Sequence, residues 1–202
     1  MKYYIETRNH FLRIALEQLS PHNMYERGTC IIDLPSFHSL RTLISCIDRH
    51  RNVSRFIFIG NDGVYSRLLL PLISLESDIS IKSYCNIIRH CPGVTYDAAI
   101  NFLLEYKSLE NFTHIDKSTI RSLLLNDTMA DSAKYIGTTP KIFYHRVDKL
   151  VKKLHMHNRL QAHWFFRHEF HPDYVQLKID EHVRRSVRQQ LGNMHDFSLA
   201  LR

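Results

Sequence analysis

Between Lys134 and Arg159 the chain carries seven basic residues and a single acid, Asp148. Charges of one sign crowded into so short a stretch suit a polyanion; a merely solvated helix face would intersperse acids. The segment Ala133–Ala162 (AKYIGTTPKIFYHRVDKLVKKLHMHNRLQA) has the order helix, turn, helix. Gly137 supplies the turn, Thr139 is a good N-cap, and Pro140 suits a first helical position. The helix predicted over Lys141–Leu154 buries Phe143, Val147, Leu150, Val151 and Leu154 and turns Tyr144, His145, Asp148, Lys149 and Lys152 outward. A helix about 10–12 Å across fits the DNA major groove. There Tyr144, His145 and Asp148 would meet base edges. Lys141, Lys149 and Lys152 would reach phosphates, with Thr139 near the backbone. Asp148 repels phosphate but can accept a hydrogen bond from a cytosine amino group.

Other chemistry is poorly supported. Fourteen histidines invite a metal search. The densest group, His155, His157, His163, His168 and His171, lacks a Cys or carboxylate at ligand spacing, so no metal is expected. Cys30, Cys46, Cys85 and Cys91 sit among apolar neighbours without a CxxC pair and read as small hydrophobes in a reducing cytoplasm. No nucleophile elbow, phosphate loop or paired-carboxylate signature appears, so neither catalysis nor a cofactor is expected. The aromatic sheet motifs of RNA-binding modules are absent as well.

The elements that must carry these residues divide the chain. Residues 112–202 hold 15 Lys+Arg against 9 Asp+Glu, whereas residues 1–111 are nearly balanced at 12 against 11. In the first half strand-like runs (Tyr3–Ile5, Cys30–Leu34, Phe56–Gly60, Ile79–Ile81) alternate with helical spacing (Phe11–Leu19, Leu40–Ile47, Tyr65–Leu75, Tyr84–His90). Alternation of this kind predicts a small parallel sheet covered by helices. Cys91-Pro92-Gly93 breaks the pattern, and an amphipathic helix over Asp97–Leu109 follows. The second half is helical: Ile115–Leu125, Met129–Ile136, Lys141–Leu154 and Arg159–His168. A further basic helix is predicted over Asp180–Leu191, with Val183, Val187 and Leu191 buried. The expected divisions are 1–92, a linker helix at 93–111, a helix-turn-helix at 112–171 and an extension at 172–202. No run of about 18 apolar residues predicts a membrane span, and Glu6, Arg8, Arg13 and Glu17 interrupt any signal-peptide core. A cytoplasmic chain is expected.

The second half resembles the LuxR/NarL/FixJ-type helix-turn-helix of bacterial transcription regulators over about fifty ungapped residues. Phe112-Thr113-His114-Ile115-Asp116 stands for its Leu-Thr-x-x-Glu opening. Asn126 and Thr128 stand for the turn, and Asp131-Ser132-Ala133 for Glu-Ile-Ala. Thr139-Pro140-Lys141-Ile142-Phe143 stands for the recognition-helix start. Val147, Leu150, Lys153 and Leu154 continue it, and Asn158-Arg159-Leu160-Gln161-Ala162 closes the motif. Ile142 and Arg146 depart from the usual Thr and His. The first half looks like a degraded receiver domain: Asp33 stands at the phosphoacceptor position and Lys82 at the lysine position, whereas Glu6-Thr7-Arg8 replaces the acidic pair. Phosphoryl transfer needs a carboxylate cluster for Mg²⁺, and Arg8 would put a positive charge in it. The resemblance therefore implies a receiver-like α/β domain that is not phosphorylated, followed by a four-helix DNA-binding domain; Asp33 alternatively caps the turn after its strand.

The family implies a regulator of double-stranded DNA, with relatives that govern fimbriae, flagella or capsule. One short helix reads few base pairs, so a homodimer or a heterodimer with another regulator is expected, with Ala162, Phe165 and Phe166 as the candidate interface or, equally, as core. A protein-interaction module that pairs with another transcription factor and inhibits or redirects it is the alternative.

Overall fold

The computed structural model describes residues 3–19, 28–76 and 79–199, with Tyr3 and the last eleven of these as backbone only. The chain forms two compact units. The first comprises residues 1–107 with 153–157, and the second residues 108–152 with 158–202.

The first unit is a four-stranded, wholly parallel sheet with the strands in sequential order: β1 (Tyr3–Glu6), β2 (Thr29–Asp33), β3 (Arg55–Gly60) and β4 (Ile73–Glu76). Among the described residues it is accompanied by α1 (His10–Leu19), α2 (Leu40–Arg49), α3 (Val64–Leu68), α4 (Ile81–His90) and α5 (Tyr96–Ser108). The inner strands β2 and β3 are buried almost throughout because both sheet faces are covered, whereas the edge strands β1 and β4 are partly exposed. Ile31, Ile57 and Ile59 pack with Leu16 of α1, Leu75 of β4, and Tyr84 and Ile88 of α4. Cys30, Ile32, Phe56 and Phe58 alternate to the other face and are equally buried. Serines start two helices: Ser39 Oγ accepts from the Thr42 amide (3.1 Å) and Ser80 Oγ from the Ser83 amide (3.2 Å).

Two expectations fail here for one reason. The run Tyr65–Leu75, expected to be a helix, breaks after Leu68 into a short 3₁₀ turn containing Pro71 and then becomes β4. Pro71 cannot continue a helix, and Ile73-Ser74-Leu75-Glu76 pairs with β3. Ile79–Ile81 is accordingly not the edge strand; α4 begins at Ile81. The expected linker at 93–111 is also displaced. Val94 exchanges two backbone hydrogen bonds with Phe56 (2.7 and 2.8 Å), and Ala99, Leu103 and Tyr106 of α5 are buried, so the first unit runs to Lys107. Gly93, at φ +67°, permits the approach: a Cβ there would lie 2.7 Å from the Phe56 carbonyl oxygen.

The second unit is all-helical: α6 (His114–Leu125), α7 (Met129–Tyr135), α8 (Pro140–Lys153), α9 (Arg159–Glu169) and α10 (Pro172–Leu199). Its core holds Phe112, Phe143, Val147, Leu150, Phe165 and Phe166. Each buried aromatic there contributes about 1.5–3 kcal/mol. α10 lies along α6, burying Val175 and Ile179; Arg185 pairs with Glu110 through two hydrogen bonds (2.9 and 3.2 Å). The C-terminal helix is thus continuous with this unit rather than an appended extension. Its outer part differs from expectation: Val183 and Val187 are about half exposed, because α6 is shorter than α10, and the Leu191 side chain lies outside the described residues.

Candidate functional site

Helices α6 to α8 are assembled from local rules. Thr113 and Asp116 form a reciprocal capping box that starts α6 (3.1 and 3.0 Å). Thr128 caps α7 by accepting from the Asp131 amide (3.0 Å). α6 and α7 are clasped by small hydroxyls. Ser122 Oγ donates to the Ser132 carbonyl (2.6 Å), and Ser132 Oγ donates back to the Ser122 carbonyl (3.2 Å), both buried. α7 ends in a Schellman turn: the Thr138 amide donates to the Ala133 carbonyl (2.9 Å) and the Gly137 amide to the Lys134 carbonyl (3.1 Å), with Gly137 at φ +63°. Thr139 then accepts weakly from the Ile142 amide (3.4 Å).

α8 buries Phe143, Val147 and Leu150 and presents Lys141, Tyr144, His145, Lys149 and Lys152 to solvent, with Thr139 exposed at its start. Asp148 behaves differently. Its carboxylate accepts two hydrogen bonds from Arg159, Nε to Oδ1 at 2.6 Å and Nη2 to Oδ2 at 2.8 Å. The same guanidinium lies 4.7 Å from the centre of the Tyr144 ring. The Arg159 hydrogen bonds hold the Asp148 carboxyl below the usual range for an aspartate. The acid on the basic face is therefore neutralised by the first residue of α9. Arg159 is a residue the chemistry of the sequence did not single out. The signal was present: Tyr144 and Asp148 are one helical turn apart and share a face.

The interface residues expected on α9 are corrected. Ala162, Phe165 and Phe166 are completely buried within the second unit, where Phe166 meets Phe112 edge-on (6.1 Å), and so do not reach a partner. The exposed apolar side chains of this helix are Leu160 and Trp164, the indole stacked on His168 at 4.5 Å.

In the first unit Asp33 lies at the end of β2, nearly buried, and accepts from two hydroxyls: Thr7 Oγ1 (2.7 Å) and Ser36 Oγ (2.6 Å). Arg8 stands beside it, its amide donating to Ser36 Oγ (2.8 Å) and its guanidinium hydrogen-bonded to His38 (2.7 Å). An open cleft of about 470 Å³ lined by Arg8, Asn9, Asp33, Ser36 and Asn61 adjoins these residues. Lys82 is exposed on the first turn of α4 and is not joined to Asp33.

Glu6 turns the other way, to α2. His50 Nε2 is 2.6 Å from Glu6 Oε1, and Arg49 Nη2 is 3.6 Å from Glu6 Oε2. Among the described residues, Glu6, Cys46 and His50 bring one ligand atom each to within 4.8 Å of the others. Burial, with the Glu6 carboxylate beside it, pushes the Cys46 thiol up to about 11. Among the described residues no helix is long and apolar enough to cross a membrane. No protein-family model matches the chain, and no curated protein matches it.

Proposed function

We propose that the chain is a bacterial DNA-binding transcriptional regulator of LuxR/NarL/FixJ type whose α8 enters the major groove. The observation that carries this reading is the Gly137 turn. It joins two capped helices and leaves the second with a buried apolar stripe and an outer face of Lys141, Tyr144, His145, Lys149 and Lys152. The Arg159–Asp148 pair supports it, because it cancels the one charge that would repel phosphate. The three lysines supply affinity; Tyr144 and His145 supply sequence choice.

The first unit fits a receiver that has lost its function. A doubly wound sheet of receiver type runs 2-1-3-4-5. Without its outer strand it reads 1-3-4-5, which is a sequential order such as this sheet has. The Asp33 carboxylate is held by Thr7 and Ser36 in place of a metal-binding acid pair, with Arg8 alongside, so the unit works without phosphorylation. A homodimer or heterodimer is supported by Leu160 and Trp164, exposed on α9. The test is a mobility shift with two variants. Lys149→Ala weakens binding about equally on all sequences, and His145→Ala also changes preference. If both variants bind as the parent does, α8 is not the reading helix.

A further inference from the structure

Cys46 and His50 lie one helical turn apart at the end of α2, the spacing at which two side chains of a helix converge on one ion. Glu6, the last residue of β1, meets them from a point 44 residues away from His50 in the chain. The thiol is buried, the imidazole and carboxylate half-buried, and all three ligand atoms fall within 4.8 Å. Thiolate, imidazole and carboxylate together are the donor set of a borderline-soft cation; magnesium and calcium take oxygen alone. A cleft of about 410 Å³ lined in part by Glu6, Arg41, Ser45 and Arg49 opens on the Glu6 side of the cluster.

We propose that Glu6, Cys46 and His50 form a three-ligand site for a zinc-type divalent cation. Binding releases the Cys46 proton to solvent and replaces the Glu6–His50 hydrogen bond with two bonds to the metal. Arg49, its side chain 67% exposed, gives up its contact with Glu6 to the incoming charge. The ion then ties β1, which among the described residues is an edge strand paired with β2, to α2, so the site would make the order of the first unit depend on metal. The inference is independent of the DNA-binding reading.

The experiment is titration of the metal-free full chain with Co²⁺ alone, followed by absorbance, with Zn²⁺ competition. One equivalent of Co²⁺ gives the near-ultraviolet thiolate charge-transfer band and the intense visible bands of a four-coordinate site, and Zn²⁺ removes both. Cys46→Ser loses the charge-transfer band and His50→Gln weakens binding at least tenfold, while Cys85→Ser keeps the parental spectrum. Circular dichroism confirms that each variant is folded. No charge-transfer band in the parent, or one that survives in Cys46→Ser, overturns the proposal.

Discussion

If α8 enters the major groove as proposed, Arg159 acts on DNA binding for a reason other than its own charge: it masks Asp148. Both side chains of the pair are a little over 40% exposed. Exposed ion pairs are worth about 0.2–1 kcal/mol in general, and parallel two-bond geometry favours the upper part of that range. The face of the Tyr144 ring, its centre 4.7 Å from the guanidinium carbon, adds a further attraction. Arg159→Ala therefore destabilises the second unit, Asp148→Ala does so less because Arg159 keeps its contact with the Tyr144 ring, and the double-mutant cycle shows a favourable coupling between the two side chains. On DNA the single variant Arg159→Ala exposes a bare carboxylate on the basic face. At roughly 7 Å from a phosphate and an effective dielectric of about 40, the repulsion is about 1 kcal/mol, near fivefold in affinity. The double variant removes the carboxylate, so it binds roughly fivefold more tightly than Arg159→Ala despite carrying the same loss of a cation, and the gap closes as salt rises. Asp148 titrates lower in the folded chain than in the unfolded one, so the stability coupling is complete above about pH 4 and is lost as pH falls through the lower folded value. Chemical denaturation and fluorescence anisotropy on all four proteins of the cycle measure both quantities. A double variant that binds no better than Arg159→Ala, or a coupling near zero, refutes the masking argument.

Gly137→Ala forces a side chain into a left-handed backbone where nothing lies within 4 Å of the new Cβ, so the cost is conformational alone, about 1 kcal/mol, read as a lower denaturation midpoint at unchanged m-value. Burial holds the His163 imidazole below its usual range, so the unfolded chain binds the proton first; stability falls as pH drops below about 6.5, and His163→Gln flattens that slope in denaturation curves taken between pH 7 and pH 5.

The legible parts of the sequence were those governed by local chemistry. FIFIG became β3, and Thr113 with Asp116, Thr128, Gly137 and Pro140 marked the helix ends to within a residue, because caps and turns depend on neighbours in the chain. In the run from Leu68 to Leu75 the apolar residues suit a helix as well as a buried strand; Pro71 is the signal that breaks the helix, and pairing with β3 fixes the strand. The stripe Ala162, Phe165 and Phe166 revealed an apolar face but not what covers it; Phe112 and Phe170 do so from elsewhere in the second unit. Arg159 with Asp148, and Glu6 with Cys46 and His50, join residues that only the fold brings together. Periodicity is silent about such pairs.

The measurement that tests the central claim most directly is a salt titration of the purified chain on a genomic fragment library, with Lys149→Ala in parallel. Enriched sites should bind with an affinity that falls steeply with salt. Lys141, Lys149 and Lys152 together account for a log–log slope of about −2.7 per helix, which Lys149→Ala reduces by about 1. Binding that is indifferent to sequence, or a slope unchanged in Lys149→Ala, would contradict α8 as the reading helix and leave the chain as a module that acts through a protein partner.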